Sequence, residues 1–148
     1  MSTSIKPIPD GYQAVIPYLI VDNAAGLVDF IRDGLGGEVM MQMTNPDGSI
    51  GHTEIRVEGC VVMLSQAHGD YPAMPCMLYV YVPDVDATYR RAIGAGATSV
   101  REPRDEFYGD RSGGVRDLCG NQWWFGTHKE KVSMEELERR HTAARSAH

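Results

Sequence analysis

The chain repeats itself. Sliding the first half forward by 61 residues, without a gap, sets Tyr18 on Tyr79, Val21 on Val82, Val39 on Val100, Gly48 on Gly109 and Gly59 on Gly120. The matches fall at strand ends and turns, and the apolar helix positions Ala24, Val28 and Ile31 land on Val85, Tyr89 and Ala92. A repeat of this kind encodes one supersecondary unit, and one such unit cannot bury an adequate core alone. The two copies must therefore share one.

Each half spells the same order of elements. Gln13 to Val21 (QAVIPYLIV) is short, β-rich and closed by Asp22-Asn23, the pattern of a strand. In the next segment Asp22 or Asn23 can cap a helix, Ala24, Leu27, Val28, Ile31 and Leu35 recur at helical spacing, and Gly36-Gly37 ends it. EVMMQM, HTEIRV and CVVMLS follow as three strands around the turns NPDGS and EG. The second half repeats this with MLYVYV, a helix in PDVDATYRRAIGAG with Pro83 near its first turn, and strands in TSVREP, GGVRDL and QWWFGT. The expected fold is α+β: two βαβββ modules making a cupped eight-stranded mixed sheet with helices outside. One domain then spans 12–130, with repeats at 12–67 and 76–128, after a flexible arm at 1–11. The tail at 131–148 opens on a capping box, Ser133 with Glu136, and reads as a polar helix that is either an exposed appendage or a dimer contact.

Composition excludes several functions. Hydrophobic content of 43% and charged content of 23% are ordinary for a folded domain. A net charge of -6 leaves no concentrated basic patch for nucleic acid. No apolar run reaches the length of a membrane span, and the N-terminus lacks an export signal, so a soluble cytoplasmic protein is expected. Cys60, Cys76 and Cys119 are odd in number and lack CxxC spacing; they read as reduced, small buried hydrophobes.

Alternation divides each central strand into two faces. Leu19 and Val21, Val62 and Leu64, Leu78, Val80 and Val82, and Trp123 and Phe125 belong under the helices. The opposite set holds Ile16, Tyr18 and Ile20, Val61, Met63 and Ser65, Met77, Tyr79 and Tyr81, and Gln122, Trp124 and Gly126. Adaptable apolar groups mixed with a few hydrogen-bonding tips are the lining of a small-molecule cavity. Phe107, Tyr108 and Arg111 stand before the seventh strand, where an aromatic pair and a guanidinium could clamp a planar or anionic guest at the rim. Arg111 could instead pair with Asp105, Asp110 or Asp117, and Arg116 and Asp117 fit cross-strand pairs.

Paired modules of this length, opened by PYLIVDNAAGLVDFI and ended by YGDRSGGVRDLCGNQWWFGTHKE, resemble the vicinal oxygen chelate superfamily, the glyoxalase and bleomycin-resistance fold, over about residues 12 to 130. The last segment resembles its metal-poor bacterial glyoxalase-like members. In the metalloenzymes each repeat supplies one ligand near the start of its first strand and one on its last strand. The resemblance carries those positions onto Ile16, Met63, Met77 and Trp124. None offers the imidazole or carboxylate that zinc, iron, manganese or nickel needs, so no metal and no cofactor is expected there.

The resemblance then implies metal-independent binding of a small, partly aromatic or hydrophobic molecule, as in drug or toxin sequestration, by a homodimer. The expected contacts are Tyr18, Met63, Met77, Tyr79, Tyr81, Phe107, Tyr108, Arg111, Gln122 and Trp124. The alternative is a metal-dependent lyase, epimerase or dioxygenase with a non-standard site. His52 and Glu54, two apart on one strand face, could begin such a site if His68 or His128 came near. An acid-base catalyst built from Tyr79, Glu54 or His128 is the metal-free variant.

Overall fold

The computed structural model describes residues 4–146, so residues 1–3 of the expected arm and 147–148 of the tail, His148 included, lie outside it. The elements run β1 (Tyr18–Val21), α1 (Ala24–Leu35), β2 (Glu38–Thr44), β3 (Ile50–Val57), β4 (Cys60–Gln66), β5 (Met77–Tyr81), α2 (Val85–Gly94), β6 (Thr98–Asp105), β7 (Asp110–Arg116), β8 (Gln122–His128) and α3 (Met134–Ser146). These are two βαβββ modules. Their eight strands divide into two four-stranded mixed sheets, ordered β1-β4-β3-β2 and β5-β8-β7-β6. In each sheet the first and last strands of the module run parallel and the other pairs antiparallel.

The strand register carries the repeat. Tyr18 lies opposite Met63 and Tyr79 opposite Trp124, so both partners move by the same offset. The turn glycines agree as well: Gly48 and Gly109, and Gly59 and Gly120, all have positive φ, a region that side chains with a Cβ avoid. The third strands break the pattern by one residue, because Glu54 pairs with Met63 whereas Gly114 pairs with Trp124. The second hairpin needs a longer loop, from Arg116 to Gln122, where the first turns directly between Val57 and Cys60. Asp117 organises that loop instead of pairing across strands. Its buried carboxylate accepts the backbone N–H groups of Cys119 and Asn121 and the Trp123 indole N–H at 2.8 Å.

Two sequence expectations shift at the start of the first module. The first strand is only Tyr18–Val21, because Pro17 has no N–H to give to a ladder. The Gln13 side chain takes over: its amide donates to Val61 O at 2.7 Å and accepts from Val61 N–H at 3.0 Å. Together with a bond from Arg56 to Gly11 O, this ties down the end of an arm expected to be free. Pro83 stands immediately before the α2 N-cap, Asp84, near the first turn as expected. At α1, Asn23 is the cap, accepting Gly26 N–H at 2.9 Å, and left-handed Gly36 closes the helix.

One apolar core serves both modules. Leu27, Phe30 and Ile31 of α1 join Leu19, Leu64, Trp123 and Phe125 in a single buried cluster. The Phe30 and Trp123 rings lie 6.3 Å apart between centroids. The helices touch directly, with Arg91 Nε donating to Asp33 O at 2.8 Å. Gly34 permits this approach, since a Cβ there would sit 3.0 Å from Ala95 Cβ. Helix α3 buries no residue and is held mainly by Arg140, which bonds Glu130 at 2.7 Å and Phe107 O at 3.2 Å. No described helix is long and apolar enough to cross a membrane.

Candidate functional site

On the second sheet the expected face is present. Met77, Tyr79 and Tyr81 lie in register with Gln122, Trp124 and Gly126, while Trp123 turns the other way and is wholly buried. Two glycines let the large rings lie across their neighbours. A Cβ on Gly126 would overlap the Tyr79 phenol, and one on Gly114 would come within 2.7 Å of the Trp124 ring. The Tyr79 and Tyr81 rings meet edge to face at 5.3 Å.

Beneath them lies Asp110, only 4% exposed. Its Oδ2 accepts both phenol hydroxyls, Tyr79 at 2.9 Å and Tyr81 at 2.8 Å, and its Oδ1 accepts from His128 Nδ1 at 3.0 Å. Burial pushes this carboxyl up, but the hydrogen bonds from His128, Tyr81 and Tyr79 outweigh it and hold it below the usual range. Burial and the bond to Asp110 push the Tyr79 phenol well above its ordinary value. For Tyr81 the bond to Asp110 is the larger cause. Neither phenol is suited to give up a proton near neutral pH.

Trp124 is satisfied in the same way, its indole N–H donating to Gln122 Oε1 at 3.0 Å. Arg101 stacks over the indole with its guanidinium carbon 5.0 Å from the ring centroid, pairs with Glu106, and donates to Ser112 O at 2.8 Å. Its buried Nε has no partner among the described residues. Tyr108 joins this group through Ser112 Oγ at 3.3 Å.

Other expected contacts fall elsewhere. Arg111 lies opposite Thr127, on the face toward the helices, because alternation that puts Asp110 and Ser112 outward sends the residue between them inward. It clamps α2 through Asp86 at 2.7 and 3.0 Å, with a longer pair to Asp105. Phe107 packs between Tyr108 and His141 of α3. Cys60 is exposed, contrary to its reading as a buried hydrophobe, while Cys76 and Cys119 are half-buried, with burial raising both thiols.

Tyr18 and Met63 occupy the first sheet, not the second. Ile16 and Met63 line a basin of about 360 Å³ with Tyr12 and Glu54. Neither Met77 nor Trp124 lines that basin, nor the groove of about 400 Å³ between the modules, where Val15, Pro17 and Val61 face Tyr79 and Tyr81. The four positions that would hold the family's ion are thus apolar, thioether or indole groups, and the structure does not gather them into one of these cavities. They do not fit a hard or borderline divalent ion. His52 and Glu54 do share a face, 2.7 Å apart, but the other His52 nitrogen is taken by Tyr18. No group of three or more His, Cys, Asp or Glu able to hold a metal occurs among the described residues.

Sequence reading placed Gly126 on the open face but missed Asp110, Arg101, Ser112 and Gly114 as parts of the site. A signal for three of these four existed. Asp110, Ser112 and Gly114 alternate in DRSGG, and starting that strand at Asp110 instead of Gly113 places all three on the open face.

The comparisons fit this geometry. Among solved structures, TioX from Micromonospora sp. ML1 is 26% identical with a TM-score of 0.69, covering 78% of this chain and 98% of that one. Lactoylglutathione lyase from Agrobacterium tumefaciens, 20% identical with a TM-score of 0.60 over 82% of this chain and 96% of that one, shares the fold. The uncharacterized protein Rv0887c of Mycobacterium tuberculosis is 34% identical over 93% of this chain and 84% of its own length. A family model matches residues 13–125. The chain belongs to the Glyoxalase/Bleomycin resistance protein/Dioxygenase superfamily.

Proposed function

We propose that the domain at 12–130 binds a small, planar, aromatic or hydrophobic molecule without a metal, as a sequestering protein does, and that the second sheet supplies the main contact. One observation carries this reading: the polar tips of Tyr79, Tyr81 and Trp124 are all partnered internally, while the residues Tyr79 and Tyr81 stay 42% and 57% exposed. What such a surface offers a guest is fixed aromatic faces, with little side-chain entropy left to lose on binding. Met77 beside them adds a soft, adaptable contact. The buried Asp110 charge and the net charge of -6 favour a cationic guest over an anionic one.

A homodimer belongs to the same proposal. Met77, Tyr79 and Tyr81 on the second sheet are exposed apolar side chains that a second copy could cover. A second copy covering this face would enclose the guest. The test is titration of a panel of planar cationic and neutral aromatic compounds, followed by tryptophan fluorescence and thermal shift, with sedimentation to read the oligomer. Saturable quenching that Trp124→Leu abolishes, with a matching rise in melting temperature, is the expected result. Quenching that persists in Trp124→Leu, or no saturable response across the panel, refutes the assignment.

A further inference from the structure

A hydrogen-bonded chain crosses the open face of the first sheet. The Tyr18 hydroxyl meets His52 Nδ1 at 2.9 Å, and His52 Nε2 meets Glu54 Oε2 at 2.7 Å. Tyr12 bonds the other oxygen of Glu54. The roles in this chain follow from donor chemistry. A carboxylate only accepts, so His52 carries its proton on Nε2, its Nδ1 offers a lone pair, and Tyr18 must donate to it. Glu54 is buried, and the bonds from Tyr12 and then His52 hold its carboxyl below the usual range, so it is charged near neutral pH. The order is phenol, imidazole, buried carboxylate, with the phenol at the exposed end.

Tyr18 also faces a second feature. With Ile20, Ser65, His68 and Tyr71 it lines a basin of about 470 Å³. The linker is pinned there by Met74 N–H on Ile20 O at 3.0 Å and by the paired backbones of His68 and Tyr71. The His68 and Tyr71 rings lie 5.6 Å apart between centroids. Both side chains carry an N–H or O–H that can donate to charge developing on a guest.

We propose that Tyr18, His52 and Glu54 form a metal-free proton-transfer site, in which Tyr18 exchanges a proton with a small aryl-substituted carbonyl compound held against His68 and Tyr71. As Tyr18 Oη takes the proton from the carbon next to the carbonyl, its own proton passes to His52 Nδ1. The electron pair of the broken C–H bond moves onto the carbonyl oxygen as an enolate, which accepts hydrogen bonds from His68 and Tyr71. The Glu54 carboxylate stabilises the imidazolium, and reversal returns a proton to carbon. No electrons leave the substrate, and no co-reactant is needed. This site is separate from the guest surface on the second sheet, and its failure leaves that assignment standing.

Deuterium incorporation into the methylene of phenylacetone, followed by proton NMR with the full chain in D2O, tests the proposal. A positioned general base contributes on the order of 100-fold or more, so exchange above the buffer rate is expected, falling at least about tenfold in Tyr18→Phe. That variant removes one hydroxyl from a half-exposed ring, and a matching thermal melt shows the fold intact. His52→Asn leaves an amide oxygen that can still hold the Tyr18 hydroxyl but cannot take up its proton; exchange should fall as far. Wild-type exchange no faster than buffer, full exchange in Tyr18→Phe, or full exchange in His52→Asn would each overturn it.

Discussion

Replacing Asp110 with asparagine isolates the charge under the aromatic face without changing its shape. Three donors meet that carboxylate, at 2.9, 2.8 and 3.0 Å. Hydrogen bonds to a charged group contribute about 1.5–3 kcal/mol each, but two of these share one oxygen and cannot add fully. Tyr79, Tyr81 and His128 are all partly exposed, so each recovers a bond to water when Asp110 is lost. Asparagine also keeps one acceptor oxygen. The net loss should be about 2 kcal/mol, which for a chain of this length lowers the melting temperature by about 4–8 °C.

The pH dependence follows the sign of the shift. The folded carboxyl lies below its unfolded value, since its hydrogen bonds outweigh burial. Its contribution is therefore complete above the unfolded carboxylate range, about pH 4, and disappears as pH falls through the lower folded value. Thermal melts by circular dichroism should show the full gap between wild type and Asp110→Asn at pH 7, narrowing in acid. A variant that melts within about 1 °C of wild type at pH 7, or a gap that widens in acid, would refute the reasoning.

Gly126→Ala drives a Cβ into the Tyr79 phenol; it should cost about 1–3 kcal/mol as overpacking and weaken aromatic guests at least about tenfold in a quenching titration. Trp123→Ala removes a fully buried ring from the core shared by both modules, and chemical denaturation should show a loss of about 3–5 kcal/mol. Arg140→Ala releases α3 from Glu130 and Phe107. Trypsin should then cut at Lys131 and Arg139 faster, while the melt of the remaining domain stays unchanged.

Much of the frame could be read from the chain because it rests on local rules. The 61-residue offset reappears in the pairing of Tyr18 with Met63 and Tyr79 with Trp124, since turn glycines and strand periods belong to each segment alone. The division of Trp123 from Trp124 followed from the two-residue period of a strand. The same rule misplaced Arg111 only because its strand was begun three residues late.

The partners of polar groups were another matter, since they depend on which segments the fold makes neighbours. Asp110 acquires Tyr79, Tyr81 and His128 from two other strands, and Arg111 finds Asp86 on a helix 25 residues away. Tyr18 meets His52 across 34 residues. Hydrophobic periodicity tells a side chain whether to face inward or outward, but a hydrogen bond depends on an approach of about 3 Å. That approach is set by how strands align and sheets pack, so only the folded chain could decide that the phenols are already taken and the rings left open.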